Sequence, residues 1–168
     1  GNLISGNGDN GVLLAGAGVS NNVVQGNAIG IDAAGTATLG NGAQGVWIGN
    51  GATNNTVGGS AAGAGNVIGG NTYAGVELRY AGTSGNRVQG NFIGTDASGT
   101  LAFANGGAGV LIQEDASGNL IGGALAGEGN TIRFNRSAGI VVNGNASTGN
   151  ALLGNSIGGN ALLGIDLG

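Results

Sequence analysis

The chain has no cysteine, proline, methionine, histidine or lysine. Without cysteine it has neither disulfides nor thiolate metal sites, and the compartment stays open. Without histidine and lysine, arginine is the only basic side chain. Without proline, and with glycine not at every third position, the 42 glycines do not describe a collagen. Charge is also scarce: 7% of residues are charged, and four arginines against eight acids leave a net charge of -4. No basic patch or stripe exists to neutralise phosphates, which argues against nucleic-acid partners. No apolar run approaches the length of a membrane span, so no membrane contact is expected. No leader segment is recognisable, and the chain opens mid-pattern at Gly1-Asn2-Leu3-Ile4, which reads as a piece of a longer protein.

What is present argues against disorder. Hydrophobic residues make up 40% of the chain, and the aliphatics are periodic. The organising element is Gly45-Val46-Trp47-Ile48, which recurs as Gly11-Val12-Leu13-Leu14, Gly75-Val76-Glu77-Leu78, Gly109-Val110-Leu111-Ile112, Gly139-Ile140-Val141-Val142 and Gly164-Ile165-Asp166-Leu167. Its second and fourth positions are always aliphatic, while the third accepts anything. That is the period-two pattern of a strand with one buried and one open face. The glycine-rich remainder reads as turns, since glycine takes positive φ at no steric cost.

The copies begin at 11, 45, 75, 109, 139 and 164, so their spacings are 34, 30, 34, 30 and 25. The alternation makes 64 the true period, and sliding the chain by 64 aligns it without a gap. A fixed period on this scale is the signature of a solenoid. Each unit carries two further apolar segments. One begins at Asn22, Asn55, Asn86, Asn119 or Asn150, and the other centres on Ile29, Ile68, Ile93, Ile132 or Ile157, with Ile4 preceding them. Three short strands per unit, with no window of 3.6-residue periodicity, predict an all-β fold. It is a right-handed parallel β-helix of about five to six coils over residues 1–168, a rod roughly 25 Å long at about 4.8 Å per coil.

Stacked coils turn repeated positions into columns. Val12, Val46, Val76, Val110, Ile140 and Ile165 are expected to form one buried column; Leu14, Ile48, Leu78, Ile112, Val142 and Leu167 form another. Asn22 to Asn150 form a ladder at one corner, with Asn27, Asn91 and Asn155 as a second and Asn7, Asn71 and Asn135 as a third. The extra residues of the longer coils fall at 32–44 and 96–108, those of the shorter coils at 60–64 and 124–128.

Repeated Gly-Val-x-Ile, Asn-x-Val-x-Gly-Asn-x-Ile-Gly-x-Asp and Ala-Gly-x-Gly-Asn-x-Ile resemble the right-handed parallel β-helix repeats of the pectin-lyase-like superfold. They are most similar to glycine- and asparagine-rich arrays of large bacterial secreted or surface proteins. The resemblance implies an extracellular or cell-surface setting. It implies no single activity, because the superfold carries polysaccharide lyases, hydrolases and epimerases as well as adhesins and spacers. The histidine-containing and paired-aspartate signatures of its enzymes have no counterpart here, which weighs against catalysis.

The most site-like patch is the outer face of the first segment. Trp47, Glu77 and Leu111 share one outward column; Gly49, Arg79, Gln113 and Asn143 share the next; Tyr80, Glu114 and Asp115 follow at the corner. A tryptophan beside a carboxylate and an arginine suits stacking and hydrogen bonding to a sugar ring, so Trp47, Glu77, Arg79, Gln113 and Glu114 are the candidate polysaccharide-binding residues. The competing reading is a solvated strand face with Glu77 and Arg79 as a solubilising pair. Asp32 and Asp96, 64 apart in near-identical loops, are candidate calcium ligands, although one carboxylate per loop is few for calcium and the favoured reading is an Asx-turn at each. No other cofactor is expected. The expected function is structural or adhesive, with carbohydrate binding or cleavage as the alternative. End-to-end or lateral self-association is expected through the terminal coils.

Overall fold

A computed structural model describes residues 1–168. It contains seventeen short strands and no helix. The first are β1 (Leu3–Ile4), β2 (Val12–Ala15), β3 (Val23–Val24), β4 (Ala28–Ile29), β5 (Val46–Gly49) and β6 (Thr56–Gly58). Then come β7 (Val67–Ile68), β8 (Val76–Arg79), β9 (Arg87–Gln89), β10 (Phe92–Ile93), β11 (Val110–Gln113) and β12 (Leu120–Gly122). The last are β13 (Thr131–Arg133), β14 (Ile140–Val142), β15 (Ala151–Leu153), β16 (Ser156–Gly158) and β17 (Ile165–Asp166). They form three sheets, β2-β5-β8-β11-β14-β17, β3-β6-β9-β12-β15 and β1-β4-β7-β10-β13-β16. Every pairing within them is parallel. Each coil gives one strand to each sheet, which makes a parallel β-helix of five to six coils.

The inward aliphatics stack in the expected register, Val46 on Val76 on Val110 on Ile140, and Ile48 on Leu78 on Ile112. With Val57, Val88 and Ile121 from the second sheet and Ile29, Ile68, Ile93 and Ile132 from the third, they form one continuous core with no exposed surface. Each such side chain contributes about 1.5–3 kcal/mol by leaving water. The outermost coils differ. Ile4, Val12, Leu14 and Val24 at one end and Val142, Leu152 and Ile157 at the other are half-buried. Ile165 and Leu167, expected in buried columns, are 44% and 71% exposed, because no coil packs over them.

Three asparagine ladders line the corners, and they run through every coil. One is Asn22, Asn55, Asn86, Asn119, Asn150. The second is Asn2, Asn27, Asn66, Asn91, Asn130, Asn155. The third is Asn7, Asn41, Asn71, Asn105, Asn135, Asn160. The sequence expectation had alternate rungs of the last two, because a 64-residue slide superposes only every second coil. Unequal loops hide the coils between.

The glycine that opens each first-sheet strand is also not a turn glycine. A Cβ on Gly45 would lie 2.5 Å from Ile68 Cγ2, 2.6 Å from the Gly75 carbonyl and 2.8 Å from Asn71 Nδ2. Gly75, Gly109 and Gly139 are enclosed in the same way. The corner brings the third-sheet isoleucine, the ladder and the next coil so close that only hydrogen fits. The longer coils carry small hairpins, closed by antiparallel bridges Ile31–Thr38 and Thr95–Ala102. The shorter coils carry turns at 60–64 and 124–128, whose Ala64 and Glu128 carbonyls accept the N–H of Gly26 and Gly90 in neighbouring coils.

Candidate functional site

The outer face of the first sheet brings side chains from three coils together. Strand pairing sets Trp47 beside Glu77 and Glu77 beside Leu111, with Gly49, Arg79 and Gln113 in the next column. Trp47 lies down along its own strand. A Cβ on Gly49 would fall 2.3 Å from its ring, so the glycine makes room for the indole. The ring meets Tyr80 edge-on, with centroids 6.1 Å apart and planes at 67°. Tyr80 is held at φ 75°, where the chain leaves the strand. The Arg79 guanidinium sits 4.8 Å from the centre of the Tyr80 ring.

Glu77 is the unexpected residue. It points outward from the sheet yet is only 1% exposed, so it is no solubilising surface acid. The Gln44 side-chain amide donates to its Oε2, and Gln113 Nε2 donates to its Oε1 at 2.7 Å. Arg79 Nη1 stands 3.8 Å from Oε1, while Nη2 of the same arginine donates to Glu114 Oε1 at 2.5 Å. That bond to Glu114 raises the pKa of Arg79 above its ordinary value. A carboxylate taken out of water needs such partners to stay tolerable.

Gln44, Tyr73, Glu77, Arg79, Leu111 and Gln113 line an open groove of about 360 Å³. Thus Glu77, Arg79 and Gln113 line one groove, and Glu114 joins them through Arg79. Trp47 does not line the groove, although strand pairing puts it beside Glu77; its ring packs on Tyr80 instead. Gln44 and Tyr73 were missed. Gln44 precedes Gly45 in a column that reads Asn10, Gln44, Ala74, Ala108, Ala138 and Leu163. A long polar side chain where the next three coils carry alanine was the available signal. Tyr73, 57% exposed, lies in a turn whose neighbours in the stack are Ala43 and Gly107. A second hollow of similar size, floored by Phe92 and walled by Gly63, Gly90 and Gly127, holds no charged side chain.

The two loop aspartates lie elsewhere, in hairpins two coils apart on the third sheet. Asp32 Oδ1 accepts the N–H of Thr36 at 2.7 Å and of Ala37 at 3.0 Å. Asp96 Oδ1 accepts Thr100 N at 2.9 Å and Leu101 N at 2.8 Å, and its Oδ2 accepts the Ser98 hydroxyl at 2.6 Å. These donors hold both carboxyls below the usual range, the Ala37 N–H contributing most at Asp32 and the Ser98 hydroxyl at Asp96. Each hairpin supplies a single carboxylate, and no group of three or more acidic, histidine or cysteine side chains assembles on the rod.

Comparison with known protein families, with curated proteins and with solved structures returns no match.

Proposed function

We propose that this chain is a rigid spacer or adhesive segment of a large extracellular bacterial protein. The observation that carries the reading is the continuity of three asparagine ladders around one unbroken aliphatic core. A solenoid whose every coil repeats the same buried contacts resists bending along its axis and holds its loops at fixed spacing. Self-association through the half-exposed apolar residues of the outer coils, Ile4, Leu14, Leu152 and Ile157, belongs to the same proposal. Sedimentation velocity over a concentration series tests that part, and a concentration-independent monomer would remove it. Hydrogen exchange tests the rod. Slow, uniform exchange from the central coils is expected, and rapid exchange throughout would sink the reading.

A second reading is carbohydrate recognition by the first-sheet face. It is favoured by the groove in which a buried carboxylate, two glutamine amides and an exposed tyrosine meet. A screen of neutral and charged polysaccharides on the purified chain separates the two. Binding that Tyr73→Ala removes without loss of fold supports recognition, and silence across the screen leaves the spacer alone.

A further inference from the structure

Two acids at the groove share one guanidinium. Arg79 is bonded to Glu114 at 2.5 Å and reaches Glu77 only at 3.8 Å. Asp115, next along the chain, has no basic partner. The neighbourhood therefore lacks positive charge, and Glu77 is deeply buried at its centre.

The hydrogen-bond inventory narrows what fits. Gln44 and Gln113 both turn their N–H groups on Glu77. Each side-chain carbonyl then points away from the carboxylate, and neither Oε1 receives a donor from the protein. A carboxylate has about four acceptor sites, of which the two amides use one on each oxygen. The groove thus presents a carboxylate and two amide carbonyls as acceptors, with the Tyr73 phenol able to donate or accept and Arg79, engaged by Glu114, as its one cationic donor. The donors left without a hydrogen-bond partner are on Arg79: its buried Nε, and Nη1, which stands 3.8 Å from Glu77. An ammonium group carries three donors and no acceptor. A uronate would meet Glu77 with like charge, with Glu114 adding to it from the far side of Arg79, and a plain hydroxyl would leave the charge deficit uncorrected. The exposed face of Tyr73 is a suitable wall for an alkylammonium.

We propose that this groove binds a primary alkylammonium, the amine of a deacetylated amino sugar or of a lysine side chain, with Glu77 as its counter-ion and Gln44, Gln113 and Tyr73 around it. The proposal rests on the ligand-recognition reading of this face and gives that reading its chemical class. The buried carboxylate gains the full partner that Arg79, drawn to Glu114, does not supply.

The test is calorimetric titration of the intact chain with four probes: a glucosamine oligomer, its N-acetylated form, Nα-acetyl-lysine amide and a galacturonate oligomer. Shifts of the Gln44 and Gln113 side-chain amides in NMR spectra report the place of binding. One or both amine probes should bind, about tenfold or more tighter than the acetylated sugar and weakening with salt. Which amine wins identifies the source. Glu77→Gln, read with circular dichroism to confirm the fold, should lower affinity about tenfold or more. Tyr73→Ala, on the exposed turn, gives an independent loss should the buried substitution disturb folding. Equal binding of free and acetylated sugar overturns the ammonium assignment but leaves carbohydrate recognition standing. Tighter binding of galacturonate overturns the charge argument. Silence from all four probes overturns both.

Discussion

Asn91 accepts both the backbone N–H and the side-chain Nδ2 of Asn66, at 3.0 and 2.8 Å. Its own Nδ2 reaches the Val57 and Gln89 carbonyls and Asn130 Oδ1. One buried amide thus ties three coils together, accepting upward and donating downward, and the polarity is the same at every rung.

That polarity makes aspartate the worst near-isostere. Asn91→Asp replaces the donor with an oxygen facing three acceptors. At neutral pH it is expected to cost several kcal/mol, more than the roughly 1–3 kcal/mol for each partner that Asn91→Ala leaves unsatisfied. Protonation restores one donor, so the deficit of the aspartate variant should shrink as pH falls below neutrality. Denaturant midpoints of both variants at two pH values check this, and a pH-independent deficit would contradict it.

Close approach, rather than positive φ, explains the leading glycine of β2, β5, β8, β11 and β14. A Cβ on Gly75 would lie 2.6 Å from Ile93 Cγ2 and 2.8 Å from the Gly109 carbonyl. Gly75→Ala is expected to cost about 1–3 kcal/mol by overpacking. Gly8→Ala is the control, because a Cβ there meets nothing within 4 Å. It should change stability by less than about 0.5 kcal/mol. Thermal melts of the two single variants decide it.

How much of this was legible follows from what repeats. Val46, Ile48 and their counterparts recur at fixed positions, so the three sheets, the core columns and the register could be read from spacing alone. Asn41, Asn66, Asn105 and Asn130 could not, because the loops between them change length from coil to coil. Site residues repeat least. Trp47, Glu77 and Leu111 occupy one column with unrelated chemistries, which marks the position as free to vary. It does not reveal that Glu77 is buried, since Gln44 covers it from the preceding coil and Gln113 from the following one. Burial of an outward-facing strand residue depends on long side chains crossing between coils, and period-two patterning carries no record of that.

The hairpin aspartates make stability depend on acid. Asp96 is held below its ordinary value of about 3.9 by the Ser98 hydroxyl and by backbone donors, so its folded pKa lies under the unfolded one. Such a group stabilises fully above the unfolded pKa and loses that contribution as pH falls toward the folded one. Wild type should therefore exceed Asp96→Asn in stability at pH 6, and the gap should narrow steadily below about pH 4. Asp32→Asn should follow the same direction. Denaturant midpoints of wild type and variants between pH 6 and pH 2 read it out. A gap that widens in acid would mean the carboxylate is not held by those donors.

Asparagine also sets where the rod ages. Asn-Gly pairs occur at 7–8, 10–11, 41–42, 50–51, 105–106 and 143–144. Deamidation requires the glycine N–H nitrogen to attack the asparagine Cγ. The C–N bond to Nδ2 breaks, ammonia leaves, and water opens the resulting succinimide to aspartate or isoaspartate. The amides of Asn7, Asn41 and Asn105 are held in the ladder, Asn10 bonds Asp9, and the Gly51 N–H is engaged by the Thr83 hydroxyl. Asn143 is exposed, and neither its side chain nor the Gly144 N–H has a partner. Incubation at mildly alkaline pH should therefore convert Asn143 first, detected by peptide mapping and by hydroxylamine cleavage between 143 and 144. Core stability should hold while this happens, because the lesion lies at a corner where Ser147 bonds the Asn143 carbonyl, outside the ladders. Conversion of Asn41 or Asn105 at a comparable rate would show that the ladders open on the same timescale, and the rigidity proposed for the rod would fall with that result.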